Sequence, residues 1–243
     1  ATIKLLSKIT STKDLTIKFE KCSKKIYYIT NTMNLGKISK QLKHGAQLGQ
    51  DHWVLEFFNY KTKGYFVEVG AYDGIEYSNT YLMESSYDWD GICVEANPLT
   101  YNYLISNRKC RISNACIYKE SGKTVPFFNT PLLGGIEDHL NKERISKHNL
   151  EGNLINLKTL SLNDLLEKFK APEYIDYISI DTEGSELEII KNFNFKKYTV
   201  NLWTIEHNDE FQSKNQSGEI ISFFLSMGYN YKLVEHDIWL FKE

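Results

Sequence analysis

Short apolar runs alternate with amphipathic segments from about residue 47 to the end of the chain. Trp53 and Phe57 lie four residues apart, as do Val54 and Phe58, and this spacing predicts a helix with one apolar face. Five apolar runs beyond it predict buried strands, at residues 64–69, 91–95, 112–117, 177–180 and 201–205. Strands that alternate with helices are typical of a parallel sheet with helices on both faces.

Local signals predict where several of these elements begin and end. Ser78 is expected to cap the start of a short helix, and Asn97, followed by a proline, to cap the next one. Gly228 is placed to end the last helix. Residues 229–240 alternate between apolar and polar side chains around a polar triplet, which predicts a closing antiparallel hairpin at or near one edge of the sheet.

Two segments do not fit the alternation. Residues 130–156 contain Gly134-Gly135 and many polar side chains, and we interpret them as a lid or substrate loop. Residues 1–43 carry several lysine pairs and weak signals of secondary structure. The sequence therefore predicts an N-terminal extension over 1–43 and a single α/β domain over 44–243.

Composition and charge exclude several classes of protein. Of 243 residues, 42% are hydrophobic and 25% charged, which is typical of a folded domain, and the net charge of −2 gives no support to general binding of nucleic acid. No apolar run approaches the roughly 18–20 residues of a membrane span, and the first residues lack the apolar stretch of a signal peptide. The four cysteines form no C-x-x-C pair, so we expect reduced thiols in a cytoplasmic protein.

The residues that follow the first three strands point to a nucleoside ligand, because ligands bind at the carboxyl ends of parallel strands. Gly70 permits a sharp turn, but Tyr72 stands where a dinucleotide fingerprint needs its second glycine, which disfavours NAD and FAD. Glu95 ends the second strand, where an acid can accept both hydroxyl protons of a ribose. This combination favours S-adenosylmethionine, and Asn114-Ala115 is then expected beside the adenine.

Four polar residues follow the next two strands and are expected to converge, since these strand ends adjoin. They are Asp181, Glu183, Glu206 and His207. Either His207 or Asp181 is the candidate general base, with Glu183 and Glu206 orienting it or binding hydroxyl groups. Asp181 with Glu206 would alternatively suit Mg²⁺, although carboxylates at this position are also explained without a metal. Structural roles are also open for these residues. Asp181 and Glu183 would favour the start of the next helix, and His207 would simply be a polar residue at the end of a strand.

Five sequence pieces in a fixed order carry a resemblance to a known family. They are QLGQD (47–51), FVEVGAYDG (66–74), SNT (78–80), WDGICVEANP (89–98) and IDTEGSE (180–186). Together they resemble the FkbM family of S-adenosylmethionine-dependent methyltransferases. The resemblance implies a class I Rossmann-like fold with a mostly parallel seven-stranded sheet, helices on both faces and a C-terminal antiparallel hairpin. It also implies O-methylation of a hydroxyl on a sugar, a glycan or a natural product, with neither nucleic acid nor a membrane as partner.

The resemblance also assigns residues. Glu68, Gly70, Asp73 and Gly74 match the loop that holds the methionine portion of the cofactor, and Glu95 matches the ribose-binding acid. The other cofactor positions that it implies are Ala71, Tyr72, Asn79, Thr80, Ala96, Asn97, Asn114, Ala115 and Asp181. One departure is Ala46, where the family often has serine.

Two other functions remain open at this point. The first is methylation of RNA ribose, a chemistry that usually places a lysine near the end of the fifth strand, where this chain has Glu206-His207. The second is a non-catalytic module that keeps the fold for binding a partner.

Overall fold

The computed structural model describes residues 45–140, 142–147, 153–207 and 216–242, so the expected extension over 1–43 lies outside the described residues. The strands are β1 (Gly45–Ala46), β2 (Tyr65–Val69), β3 (Glu76–Tyr77), β4 (Asp90–Val94), β5 (Arg111–Ser113), β6 (Cys116–Tyr118), β7 (Thr124–Phe128), β8 (Leu154–Ser161), β9 (Tyr174–Ile180), β10 (Thr199–Glu206), β11 (Asn230–Val234) and β12 (Asp237–Phe241). The helices are α1 (Gln50–Phe57), α2 (Tyr81–Tyr87), α3 (Pro98–Asn107), α4 (Lys142–Lys147), α5 (Leu162–Lys168), α6 (Glu186–Lys191) and α7 (Ser217–Ser226), with a 3₁₀ turn at Glu137–His139.

Seven strands form the central sheet in the order β11-β12-β10-β9-β2-β4-β5. The strands from β10 to β5 are parallel, and β12 is antiparallel to both β10 and β11. This arrangement confirms the mostly parallel seven-stranded sheet and the C-terminal hairpin. The second strand of that hairpin, β12, inserts between β10 and the edge strand β11.

Both faces of the sheet are covered by helices, because its central strands are apolar on both sides. Along β9, Tyr177 and Ile178 are both fully buried but belong to different core clusters. One cluster contains residues of α5, α6 and α7, including Leu165 and Phe224, and the other contains residues of α1, α2 and α3, including Leu104. The alternation of side chains along a strand therefore builds one core layer on each face.

The expected third strand, 112–117, is wrong as a single element. The backbone breaks at Asn114 and Ala115: β5 pairs with β4 at one edge of the central sheet, whereas β6 joins β8 and β7 in a separate three-stranded sheet. The Asn114 amide donates to the carbonyl of Glu95 at 2.6 Å, which ties the break to the loop after β4. An apolar run shows that residues are buried, but not that they leave one sheet for another.

The helix signals are mostly confirmed. The Asn97 side chain accepts from the backbone N–H of Leu99 at 2.9 Å and caps α3, and Gly228 has φ +78° just beyond α7. Ser78 accepts from the N–H of Tyr81 at 3.0 Å, but α2 begins later than expected, with Thr80 in the cap position.

Two expectations from composition are tested within the described residues. None of the helices described there is long and apolar enough to cross a membrane. Cys93, Cys110 and Cys116 are free thiols, as expected, and Cys22 lies outside the described residues.

Candidate active site

A cavity of about 520 Å³ opens at the carboxyl ends of β2, β4, β9 and β10. Its volume lies within the range of about 300–1,000 Å³ that is typical of small-molecule sites. The sequence-predicted site residues that line it are Gly70, Ala71, Tyr72, Asn79, Glu95, Ala96, Asn97, Ala115, Asp181, Glu183 and Glu206. The structure therefore brings the expected cofactor turns and three of the four expected catalytic residues into one cavity.

The turn after β2 packs directly on the end of β9. Gly70 has φ +86°, and a Cβ atom there would lie 1.8 Å from the carbonyl oxygen of Asp181. The N–H groups of Gly70 and Ala71 both donate to the carbonyl of Val94 at 2.9 Å. Only glycine fits at this position, because a side chain would push the two strand ends apart.

Glu95 lies at the base of the turn. Its Oε2 accepts from the N–H of Tyr72 and its Oε1 from the N–H of Asn97, both at 2.8 Å. Burial raises the pKa of the Glu95 carboxyl to about 7, although these two backbone donors act in the opposite direction. The carboxyl group is therefore fixed in orientation, faces the cavity, and changes charge near neutral pH.

Three carboxyl groups meet at the ends of β9 and β10. Asp181, Glu183 and Glu206 each place one oxygen within 4.8 Å of the others. Burial raises the pKa of Asp181 and of Glu206 well above the ordinary range, and the neighbouring acids raise both further. Asp181 and Glu206 also lie within hydrogen-bonding reach of each other, an interaction that raises the pKa of Glu206 and acts in the opposite direction on Asp181.

Six of the residues expected in the site do not line the cavity: Glu68, Asp73, Gly74, Thr80, Asn114 and His207. For these positions direct contact with a ligand stays a prediction, although none of them lines the cavity. Sequence reasoning found the turns to which they belong, but the direction of each side chain depends on its neighbours in the fold.

Glu68 points into the protein instead of into the cavity. Its carboxylate accepts from the hydroxyl of Ser78 at 2.9 Å, the N–H of Asn79 at 2.6 Å and the hydroxyl of Thr80 at 2.6 Å. It also forms an ion pair with Arg108 at 3.2 Å, and both side chains are at most 3% exposed. Glu68 and Thr80 therefore hold in place the segment that carries Asn79, which does line the cavity.

Asp73 and Gly74 shape the cofactor turn from behind. The Oδ1 of Asp73 accepts from the N–H groups of Ile75 and Glu76, both at 2.8 Å. Gly74 has φ +83°, and a Cβ atom there would lie 2.7 Å from the Arg108 side chain. Both residues fix the path of the backbone, and neither contacts the cavity.

His207 is displaced from the cavity by its neighbour in the closing hairpin. Its backbone N–H donates to the carbonyl of His236 at 2.8 Å, and it is His236 that lines the cavity. The hairpin brings His236 back to the end of β10, a return that depends on the pairing of Glu206 with Asp237. In the sequence, the polar triplet that splits the hairpin is the signal that marks this position.

The cavity has further lining residues that sequence reasoning did not assign to the site. They are Gln47, Glu76, Tyr77, Ser78, Phe127, Thr130, Pro131, Leu132, Leu133, Gly134, Ile136, Lys147, Thr182, Ser185 and His236, together with the apolar residues Val69, Val94, Cys116 and Ile117. Gln47 belongs to the first of the five family-like sequence pieces, and this membership was a signal that could have assigned it to the site. The remaining positions depend on how the loops fold over the sheet.

Part of the expected lid or substrate loop forms the outer wall. Residues 130–134 line the cavity, and the carbonyl of Thr130 accepts from the Asn97 amide at 2.8 Å. Below them, His139 packs against the turn after β9, where a Cβ on Gly184 would lie 3.0 Å from the Cβ of His139. The expected loop ends earlier than 156, because β8 already begins at Leu154.

Comparison with known proteins gives one family match. The sequence model of the methyltransferase FkbM domain matches residues 68–231, more than half of the chain. No curated protein shows significant sequence similarity to the chain.

Solved structures that are similar in fold have low sequence identity. The N-terminal domain of human METTL16 is 13% identical with a TM-score of 0.41, and the match covers 79% of this chain and 67% of that one. M. capricolum TrmK in complex with S-adenosyl-homocysteine is 16% identical with a TM-score of 0.36, and the coverage is 78% and 66%. Precorrin-6y C5,15-methyltransferase from Geobacter metallireducens GS-15 is 10% identical with a TM-score of 0.41, and the coverage is 81% and 89%.

Proposed function

The chain belongs to the FkbM methyltransferase family, and we propose that it transfers a methyl group from S-adenosylmethionine to a hydroxyl of a sugar, a glycan or a glycosylated natural product. One observation carries this proposal: a single cavity joins the expected cofactor turn to two carboxyl groups, Asp181 and Glu206, whose oxygens lie within 4.8 Å of each other. The first feature suits the cofactor, and the second suits removal of a hydroxyl proton.

The residues at the β2 and β4 ends of the cavity fit S-adenosylmethionine. Gly70 lets the turn after β2 pack directly on the carbonyl of Asp181, and Glu95 offers a carboxyl group to the two ribose hydroxyls. Ala115, Cys116 and Ile117 form an apolar wall on the same side, suited to the face of an adenine ring. When bound there, the cofactor supplies a sulfonium methyl group that is already activated for transfer.

The protein then has two tasks, alignment and proton removal. The acceptor oxygen must lie in line behind the methyl group, so that the O–C bond forms as the S–C bond breaks. We assign the proton acceptor to Asp181, because it lines the cavity and packs against the Gly70 turn, whereas His207 does not line the cavity. The hydroxyl proton passes to the Asp181 carboxylate, and the shared hydrogen bond with Glu206 orients that group.

A metal ion is not needed in this mechanism. Asp181, Glu183 and Glu206 offer the oxygen ligands that Mg²⁺ prefers, and they lie close enough together to bind one. Proton transfer to Asp181 requires no metal ion, and we therefore assign no metal to the site.

The charge of the cavity favours an uncharged acceptor. Among the described residues that line it, Lys147 is the one lysine or arginine, whereas the lining acids are Glu76, Glu95, Asp181, Glu183 and Glu206. Such a wall offers a phosphate group one cation and repels it wherever the acids are ionised, which argues against the ribose of RNA as the acceptor. The intact acid pair beside the cofactor turn likewise argues against a non-catalytic module.

Two measurements test the proposal. Calorimetry with S-adenosylhomocysteine is expected to show binding, and labelled S-adenosylmethionine is expected to methylate at least one member of a panel of methyl glycosides. Asp181→Asn is expected to keep the binding and lose the transfer. Asp88→Asn is a matched control, because Asp88 is exposed, lies away from the cavity and has a left-handed backbone that asparagine tolerates. Absence of S-adenosylhomocysteine binding by the unaltered chain would overturn the proposal.

A further inference from the structure

We propose that the two-stranded ladder of β1 and β3 is the acceptor subsite, where Gln47, Glu76 and Tyr77 contact one ring of a sugar. This inference rests on the proposed function and names the part of the cavity that recognises the acceptor. None of these three residues is among those assigned to the cofactor.

The ladder brings these residues together along one wall of the cavity. Gly45 pairs with Glu76 and Ala46 with Tyr77 in parallel register, and Gln47 follows directly on β1. All three proposed contact residues line the cavity and are exposed, with Tyr77 at 49%. Their side chains are therefore available to a ligand in the cavity.

The segment that carries Gln47 is anchored toward the acid cluster. The amide of Gln50 donates to the Asp237 carboxylate at 2.7 Å and its oxygen accepts from the N–H of Leu48 at 2.9 Å. Asp237 pairs with Glu206 across β12 and β10. One hydrogen bond therefore separates the turn that holds Gln47 from the strand pair that holds Glu206.

Ring stacking holds the helix that follows the Gln47 turn against β12. Trp53 of α1 stacks on Trp239 of β12, with ring centroids 4.8 Å apart. The Gln47 turn is thus fixed between β3, which follows the cofactor turn, and the start of β12, beside the acids.

The chemistry of the three side chains suits a sugar. An amide both donates and accepts hydrogen bonds, a carboxylate accepts them from hydroxyls, and an exposed ring can pack on the apolar face of a pyranose. Tyr77 is held at φ +59°, which is unfavourable for a bulky residue. None of these features would favour a phosphate or a carboxylate on the ligand.

Binding experiments on the full chain separate this subsite from the cofactor site. Saturation-transfer NMR with methyl glycosides of glucose, galactose and mannose is run with and without S-adenosylhomocysteine, whose own affinity is measured by calorimetry. Gln47→Ala and Tyr77→Ala are each expected to weaken glycoside binding about tenfold, as the loss of one hydrogen bond or ring contact would. The affinity for S-adenosylhomocysteine is expected to stay within about twofold.

Two further variants control for indirect effects. Tyr77→Phe keeps the ring and is expected to retain glycoside binding, whereas a purely structural role of the hydroxyl would lose it. Tyr231→Ala removes an equally exposed tyrosine on the distant edge strand β11 and is expected to change nothing.

Two outcomes would overturn the inference, and a third would separate it from the proposed function. Loss of S-adenosylhomocysteine affinity in Gln47→Ala or Tyr77→Ala would assign the ladder to the cofactor. Binding of S-adenosylhomocysteine but of no glycoside by the unaltered chain would exclude the sugar. If the unaltered chain bound glycosides through these residues but no S-adenosylhomocysteine, the proposed function would fail while the subsite would stand.

Discussion

Replacement of Glu68 by glutamine distinguishes a buried structural ion pair from a cofactor ligand. In the structure the Glu68 carboxylate faces Arg108, whose guanidinium also donates to the carbonyl of Gly74 at 3.1 Å and the hydroxyl of Thr80 at 2.9 Å. Glu84 is a second ion-pair partner of the same guanidinium. A glutamine keeps the shape but turns an amide N–H₂ toward groups that are themselves donors.

The expected cost follows from burial. The side chains of Arg108 and Glu68 are 0% and 3% exposed, so removal of one charge leaves the other without its full compensation. Breaking such a pair costs about 3–5 kcal/mol, a large share of the roughly 5–15 kcal/mol by which a domain is stable. For a chain of this length, that corresponds to a fall in melting temperature of about 6–20 °C.

Thermal unfolding and calorimetry with S-adenosylhomocysteine measure the two sides of this prediction. Glu68→Gln is expected to lower the melting temperature strongly. At temperatures where this variant is still folded, its affinity for S-adenosylhomocysteine is expected to fall by less than about tenfold. Glu219→Gln, which removes the exposed ion pair with Lys191, is the control and is expected to shift the melting temperature by about 2 °C at most. An unchanged melting temperature with a loss of affinity greater than about a hundredfold would refute the reasoning and return Glu68 to the cofactor site.

Three further predictions concern the cavity itself. Gly70→Ala is expected to lower the free energy of unfolding by about 1–3 kcal/mol more than Gly122→Ala does. Both glycines have φ above +80°, but only a Cβ on Gly70 would meet backbone atoms. Equal losses in the two variants would contradict the close approach of the Gly70 turn to its neighbouring backbone. The affinity for S-adenosylhomocysteine, measured by calorimetry, is expected to rise about tenfold from pH 6 to pH 8. The reason is that the charged form of Glu95, which has a pKa of about 7, binds the ribose. Glu95→Gln is expected to remove this pH dependence. Methyl transfer is expected to rise with pH through a pKa above the ordinary carboxyl range, because burial and the neighbouring Glu183 raise the pKa of Asp181. It should persist in EDTA and fall at least about a hundredfold in Asp181→Asn, and loss of activity in EDTA would indicate a metal instead.

Local patterns in the sequence predicted most of the elements and the turns of the site. Apolar runs identified the central strands because burial on both faces requires them. Asn97 acted as a helix signal through a hydrogen bond from its side chain to a backbone N–H two residues later, and Gly228 through its own φ. Gly70 and Glu95 were found for a similar reason, since the end of a parallel strand is itself the place where ligands bind. These inferences needed only residues that are near one another in the chain.

The directions of side chains and the partners of strands needed the tertiary structure. Glu68 belongs to the cofactor motif, but Arg108, forty residues later, decides that its carboxylate points inward. His207 was one of two candidate bases, with Asp181, but the pairing of β12 with β10 places His236 in the cavity wall instead. Each outcome depends on contacts between segments distant in sequence. The local sequence therefore determined which turns form the site, and long-range packing decided which side chains face into it.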